Sequence, residues 1–369
     1  MSVPHITHIS AGRDRSVLLS AEGRAYALGA VELLAPALPP DYPQDLCLSN
    51  PSEIGHRRFA QPAPLLLNPG QRFTGIADGF ADMVALRADG AALSCRPVVS
   101  REHGSAATPL AGLPRGVRQL ALTESAGFAL YADGAVWSWG RNLRGQLGRP
   151  AAAWMAPPGR VDDLPPIERL AAGHAHMLAL DRQGGVWAWG ANAAGQIGSG
   201  DLGPRAAPVR VELPRPMRQL AAGDTHSLAL DEAGQLWGWG ANQFGQVGDV
   251  VGLPAETRFL TRPRRVRGGV KLVRLDAGMY YSVGIGSDGE VFAWGWNGLG
   301  QLAAEGLPYS ARPRRVAALR EVEQVSAGLG HVLARSGQGV FAWGDNRASA
   351  CGALPSTPIQ TAPRRIELT

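Results

Sequence analysis

Residues 170–198 read LAAGHAHMLALDRQGGVWAWGANAAGQIG, and residues 220–248 read LAAGDTHSLALDEAGQLWGWGANQFGQVG. The second is the first displaced by 50 positions, so one structural unit is written twice in succession. Within a unit the periods are those of strands. In VWAWG, aromatics alternate with small residues, which puts Trp187 and Trp189 on one face and Ala188 on the other. HMLALD is a second strand and the stretch ending in LAAG a third, while DRQG or DEAG makes a tight hairpin turn into the tryptophan strand. A fourth strand follows a proline: PVRV at Pro208, then PRRV or PRRI at Pro263, Pro313 and Pro363.

The frame extends in both directions. It fits LDAGMYYSVGIGSDGEVFAWGWNGLGQL from Leu275, VSAGLGHVLARSGQGVFAWGDNRASACG from Val325 and LALTESAGFALYADGAVWSWGRNLRGQLG from Leu120, with weaker copies from Ile9 and Ile76. Aligned on the first glycine or its replacement, the copies fall at Gly12, Gly79, Thr123, Gly173, Gly223, Gly278 and Gly328. Seven four-stranded antiparallel units predict an all-β fold, a seven-bladed β-propeller filling 1–369 as one domain. A blade buries its faces only against neighbours, and a closed ring leaves no face uncovered. The step from Gly12 to Gly79 is 67 residues against 50 for several others, which places an insertion at about 30–58. In PVRVELPRPMRQLAAG the fourth strand leads straight into the strand before Gly223. By that order the C-terminal PRRIELT is expected to join the N-terminal SVPHITHISAG, complete the first blade and close the ring.

Composition agrees with many short strands. Gly (48) and Pro (28) are abundant, hydrophobic residues make up 45%, and no stretch patterns as a long amphipathic helix. The formal charge of +5, with Lys271 the sole lysine, is small for 369 residues and gives no reason to expect nucleic acid. Cys47, Cys95 and Cys351 are widely spaced and odd in number, implying neither a disulfide framework nor a zinc site. The N-terminal MSVPHITHISAGRDRS has no basic segment leading into an apolar run, and no window reaches the roughly 18 apolar residues of a membrane span. A cytoplasmic protein without membrane contact is therefore expected. No phosphate-cradling glycine loop, nucleophile elbow or HExxH occurs, so neither enzymatic activity nor a cofactor is expected.

The signature W-x-W-G-x-N-x-x-G-Q-[LIV]-G stands complete at Trp137–Gly148, Trp187–Gly198 and Trp237–Gly248, and degenerates at Phe292–Leu302 and Phe341–Gly352. With it the chain resembles the regulator of chromosome condensation repeat family over nearly its whole length, and a bacterial member is expected. The resemblance implies a seven-bladed propeller with a protein-binding face. It implies less about activity. The best-known relatives exchange nucleotide on a nuclear small GTPase, others are modules within ubiquitin ligases or signalling proteins, and a bacterial branch inhibits β-lactamases by binding them. No basic tail precedes the first strand, so the DNA docking of the chromatin-associated exchange factor is not expected.

Most repeated residues read as scaffold. Eight tryptophans (137, 139, 187, 189, 237, 239, 294 and 343) are expected in the core between blades, and the Gln of each GQ is expected to bond loop backbone. His176, His226 and His331 share one repeat position with Tyr281 and Ala126, which spreads them around a ring too wide to converge on one ion. Trp296 and Trp154 fall outside the pattern and read as candidate contact residues. Alternating strand direction places the turn after the anchor glycine and the long connection after WGxN on one face, and the DxxG hairpins on the other. The first face carries the elaboration. The candidate partner-binding residues are Trp296, Phe244, Tyr280, Tyr281, Trp154 and Arg258. The partner expected is a protein bound by a monomer, with nucleotide exchange on a small GTPase and inhibition of an enzyme as alternatives. Arg264, Arg265, Arg314, Arg315, Arg364 and Arg365 form a recurring row that reads as a solvated blade edge or as a track for an acidic partner.

Overall fold

The computed structural model describes residues 4–34, 56–68, 70–79, 83–95, 98–99, 107–150, 155–252, 257–267 and 270–368. Its strands form seven sheets, each built on four antiparallel strands, and sheet packs against sheet around a ring. Blade four shows the pattern: Ile167–Ala172 lies innermost, followed outward by His176–Asp181, Val186–Gly190 and Arg205–Val211. All six residues of HMLALD are buried. That strand is sandwiched between neighbouring blades on both faces, which is why it reads as a near-continuous apolar run. The outermost strand is largely exposed.

The register explains the glycine that follows each tryptophan. Trp187 pairs with Ala179 and with Arg210, and the ladder to the outer strand shifts between Ala188 and Gly190. Gly190 has φ of +102°, and a Cβ there would lie 2.5 Å from the Ala175 carbonyl oxygen. Only glycine takes that bend without a clash.

Ring closure differs from the sequence expectation. The last strand, Ile359–Arg365, pairs with Gly339–Asp345 and completes blade seven. The first blade has its own outer strand, His56–Leu67, drawn from the far side of the insertion. Apart from Val98–Val99, which leaves blade two to pair with blade one, each blade is thus contiguous in the chain, because a fourth strand pairs with the third strand just before it. The seam between blades seven and one is closed by side chains and loops. The Ala11 amide donates to Ser326 Oγ (3.0 Å), Gln324 Nε2 donates to the Ile9 carbonyl (3.1 Å), and the Leu329 amide donates to the Gly12 carbonyl (3.0 Å). Ile366, just past the last strand, is buried with Ile6, Ile9, Leu18 and Leu28, and Leu368 packs against the same cluster.

In blade one the third and fourth strands continue as a projecting hairpin, with five further pairs from Ala30↔Ala60 to Leu34↔His56 beyond Gly29↔Gln61. Val98–Val99 adds a short parallel strand beside it. The remainder of the insertion, 35–55, lies outside the described residues.

The tryptophans divide into two groups. Trp189, Trp239, Trp294 and Trp343 are fully buried, whereas Trp137, Trp139, Trp187 and Trp237 are half-buried, so four of the eight expected in the core sit partly at its edge. In blades four and five the first tryptophan of the strand lies nearer the hairpin turn; Trp187 Nε1 donates to Asp181 Oδ2 there (3.1 Å).

Candidate functional site

One face of the ring gathers the turns after the innermost strands and the long connections after the tryptophan strands. At its centre all seven repeat anchors line a cavity of about 110 Å³. Backbone meets backbone around this opening: the His174 amide donates to the Gly223 carbonyl (3.2 Å) and the Asp224 amide to the Gly278 carbonyl (3.1 Å). A Cβ on Gly173 would lie 2.5 Å from the Gly223 oxygen, which accounts for glycine at the anchor.

The residue after each anchor sets the character of the mouth. Over blades three to five it is charged, with Glu124 and Asp224 flanking His174 at 3.4 Å from Nε2 and 3.2 Å from Nδ1. Burial raises the Asp224 carboxyl above its usual range, and the His174 ring opposes that rise. Over blades six and seven it is apolar, Met279 and Leu329.

Beside the apolar half three candidate residues come together. The rings of Phe244 and Tyr280 lie 5.5 Å apart, Phe244 and Trp296 6.2 Å, and Tyr280 and Trp296 6.2 Å edge-on. All three are half-buried, and the Trp296 indole covers Gly298, where a Cβ would overlap it at 2.2 Å. Arg258 is exposed just before the outer strand of blade five and accepts the Asn242 amide on its carbonyl (2.6 Å). Tyr281 does not belong with them. It is fully buried, and its hydroxyl bonds the Gly328 carbonyl (3.0 Å) and the His331 carbonyl (2.7 Å) of the next blade. Its neighbour Tyr280 reaches the face because successive residues at a strand start point opposite ways. Trp154 lies outside the described residues.

The histidines at the Tyr281 position also tie blade to blade. His176 Nε2 lies 2.9 Å from Ser227 Oγ, His226 Nε2 2.9 Å from Ser282 Oγ, and His331 Nε2 3.0 Å from Ser16 Oγ. Each serine donates its own proton to a carbonyl of the preceding blade or loop (Gln196, Gln246 and Ala350, all at 2.8 Å), so the imidazole must be the donor. Burial holds these rings neutral, pushing His176 and His226 down to about 3 and His331 to about 4. Among the described residues no group of His, Cys, Asp and Glu could hold a metal.

The first turn of each connection in blades four and five is held by side-chain bonds. The Asn of WGxN accepts the amide five residues on, as Asn192 does from Ile197 and Asn242 from Val247 (both 2.9 Å). Gln196 and Gln246 accept the amide two residues back, at 2.9 and 3.0 Å. The Gln196 carbonyl also accepts Trp239 Nε1 of the next blade (2.8 Å).

Repeat reading missed the exposed apolar residues. Seven of the nine large hydrophobics exposed among the described residues lie on the connections or strand starts of this face: Leu143, Met155, Leu202, Phe259, Tyr309, Leu354 and Ile359. Four of them occupy one repeat position, the first residue of an outer strand. Aligning the copies on the fourth strand would have found it. The six arginines of the recurring row are exposed, with Arg315 paired to Glu290 at 2.9 Å.

The sequence pattern described as the RCC1-like domain matches residues 101–369. Human HERC6, a probable E3 ubiquitin-protein ligase, is 37% identical over 126 residues, a match covering 32% of this chain and 12% of that protein. The chain therefore spans about an eighth of that relative's length. Human WBSCR16 superposes with a TM-score of 0.75 at 23% identity, over 93% of this chain and 94% of that one. Yeast RCC1 (Prp20), solved bound to Kap60, superposes with a TM-score of 0.73 at 23% identity, over 100% of this chain and 89% of that one. At that identity the two structures speak to the fold alone.

Proposed function

The chain belongs to the RCC1-like domain family, and on that premise we propose that it is a non-enzymatic propeller that docks a partner protein on its loop-rich face. The observation that carries this reading is the concentration there of exposed large apolar residues, seven of nine among those described. Scattered apolar residues are ordinary, but a face that gathers them on loops with hydrogen-bonded bases suits a protein interface. The Phe244–Tyr280–Trp296 cluster adds a half-buried aromatic anchor of the kind that dominates interface energetics. Support also comes from yeast Prp20p, whose structure was described together with its binding to Gsp1p and histones.

The test is affinity capture from the native organism with mass spectrometry, comparing the natural chain with Phe259→Asp and Tyr309→Asp. Both side chains are more than half exposed (52% and 53%), so the melting temperature should be unchanged while the captured partner is lost. Equal capture by the variants removes the loop-rich face as the docking site.

A second reading, nucleotide exchange on a small GTPase, is favoured by the projecting hairpin of blade one, which offers an element that could insert near a bound nucleotide. Release of labelled GDP across a panel of small GTPases decides it; no acceleration eliminates exchange and leaves docking standing.

A further inference from the structure

A cleft of about 1120 Å³ lies on the opposite, hairpin-bearing face, between blades five and six at the outer edge. Its outer wall is built by the connection after the tryptophan strand of blade five, Leu236–Ala241. Val250 bridges to Val266 and the Val251 amide donates to the Arg265 carbonyl (3.0 Å), so this segment runs down the blade instead of ending on the loop-rich face. Five basic side chains line the cleft: Arg215, Arg265, Arg267, Lys271 and Arg312. Two carboxylates answer them. Asp249 pairs with Arg267 (3.2 Å) and Arg312 (3.4 Å), and Asp231 sits in the floor, 2% exposed. Arg215 and Lys271 make no ion pair among the described residues, and both are exposed.

The floor departs from its counterpart in blade four. There Trp187 Nε1 donates directly to Asp181 Oδ2, next to Gly185, where a Cβ would lie 2.3 Å from that oxygen. Blade five has Gln235 in place of Gly185, and its Cβ denies Asp231 that position. Asp231 Oδ1 still accepts the Ala233 and Gln235 amides, but Asp231 Oδ2 and Trp237 Nε1 are buried without partners. One unsatisfied acceptor and one unsatisfied donor therefore lie in the floor, on side chains that line the cleft, and each lacks a hydrogen bond that burial makes costly to leave unmade.

We infer that this cleft binds an extended acidic segment of a partner polypeptide, independently of the loop-rich face. In an extended chain the N–H and C=O of one residue point to the same side, so a single residue can donate to Asp231 Oδ2 and accept from Trp237 Nε1. Flanking Asp or Glu side chains match the surplus of basic residues on the rim. A polyphosphate or nucleic acid backbone matches the rim but not the floor, because a deprotonated phosphate has no proton for the Asp231 carboxylate.

The experiment uses the full chain and fluorescein-labelled ten-residue peptides, one alternating Glu and Gly and one alternating Gln and Gly, read by fluorescence anisotropy. The Glu peptide should bind and the Gln peptide should not, with binding weakening several-fold as salt rises from about 50 to about 200 mM. Arg215→Glu combined with Lys271→Glu should weaken the Glu peptide about tenfold or more at unchanged melting temperature. Gln235→Gly, which reopens the direct Trp237 to Asp231 bond, should weaken it as well. Phe259→Asp on the other face should leave it unchanged, which separates this proposal from the docking reading. Equal binding of the two peptides, full binding by the charge-reversed variant, or tighter binding of a ten-nucleotide oligothymidylate than of the Glu peptide would overturn the proposal.

Discussion

Trp239 shows how one side chain joins two blades. Its indole is fully buried, it fills the space between blades four and five, and its Nε1 donates to the Gln196 carbonyl of the preceding blade. Trp237, two residues earlier in the same strand, is half-buried and its Nε1 has no partner. Trp239→Ala should therefore cost about 3–5 kcal/mol, and Trp237→Ala distinctly less, by urea denaturation; equal losses would contradict the division. That the aromatics face one way was legible in their alternation. Which of the pair is sealed in blades four and five was not, because depth along a strand depends on the neighbouring blade's loop. Tyr281 carries the same lesson: beside Tyr280 in sequence it looks equally available, yet it occupies the position where His176, His226 and His331 bond across to the next blade.

At the scale of the element, the closing strand is the informative case. Ile359–Arg365 pairs only with its own blade, and the residue just beyond it, Ile366, is 4% exposed in the seam with blade one. Ile366→Ala is expected to cost about 2–4 kcal/mol, while Arg364→Ala, on an exposed edge, should stay within about 0.5 kcal/mol, both read from urea midpoints. A neutral Ile366→Ala would mean that the seam is held by backbone and polar contacts alone. The connections after WGxN are elements in their own right. The Asn and Gln bonds recur in successive blades, so the loops can vary in length beyond the GQ turn without loosening their bases.

Across the whole molecule the ring has seven seams, and two can be compared directly. Ser227 accepts from His176 between blades four and five, as Ser16 accepts from His331 between blades seven and one. Ser227→Ala and Ser16→Ala each strand a buried imidazole N–H, at about 1–3 kcal/mol. If the seventh seam closes like the others, the two costs agree; a much smaller loss for Ser16→Ala would show a weaker closure. The same histidines make stability depend on pH. Their folded values lie near 3, 3 and 4 against an ordinary 6.5, so below about pH 6.5 the unfolded chain binds more protons there and stability falls with pH. Burial pushes Asp78 and Asp276 up to about 6 from 3.8, so between those values the folded chain binds more protons at these two and opposes the loss. His8, lowered, and Asp224, raised, oppose one another in the same way. Between pH 6 and 5 a net loss of stability on acidification should remain. His226→Gln should lower the slope by nearly one proton, about 1.4 kcal/mol per pH unit, in urea titrations across that range; an unchanged slope would mean that His226 is not buried neutral. The number of blades, their four strands and the aromatic alternation were determined by the sequence alone, because each is a relation between residues a few positions apart. The owner of the last strand, the burial of Tyr281 and the gathering of Leu143, Phe259, Tyr309 and Ile359 on one face were decided only by tertiary structure. A fourth strand is adjacent in sequence to two blades at once. Pairing with the strand before it, and the packing of each blade on the next, resolve what the local pattern leaves equivalent.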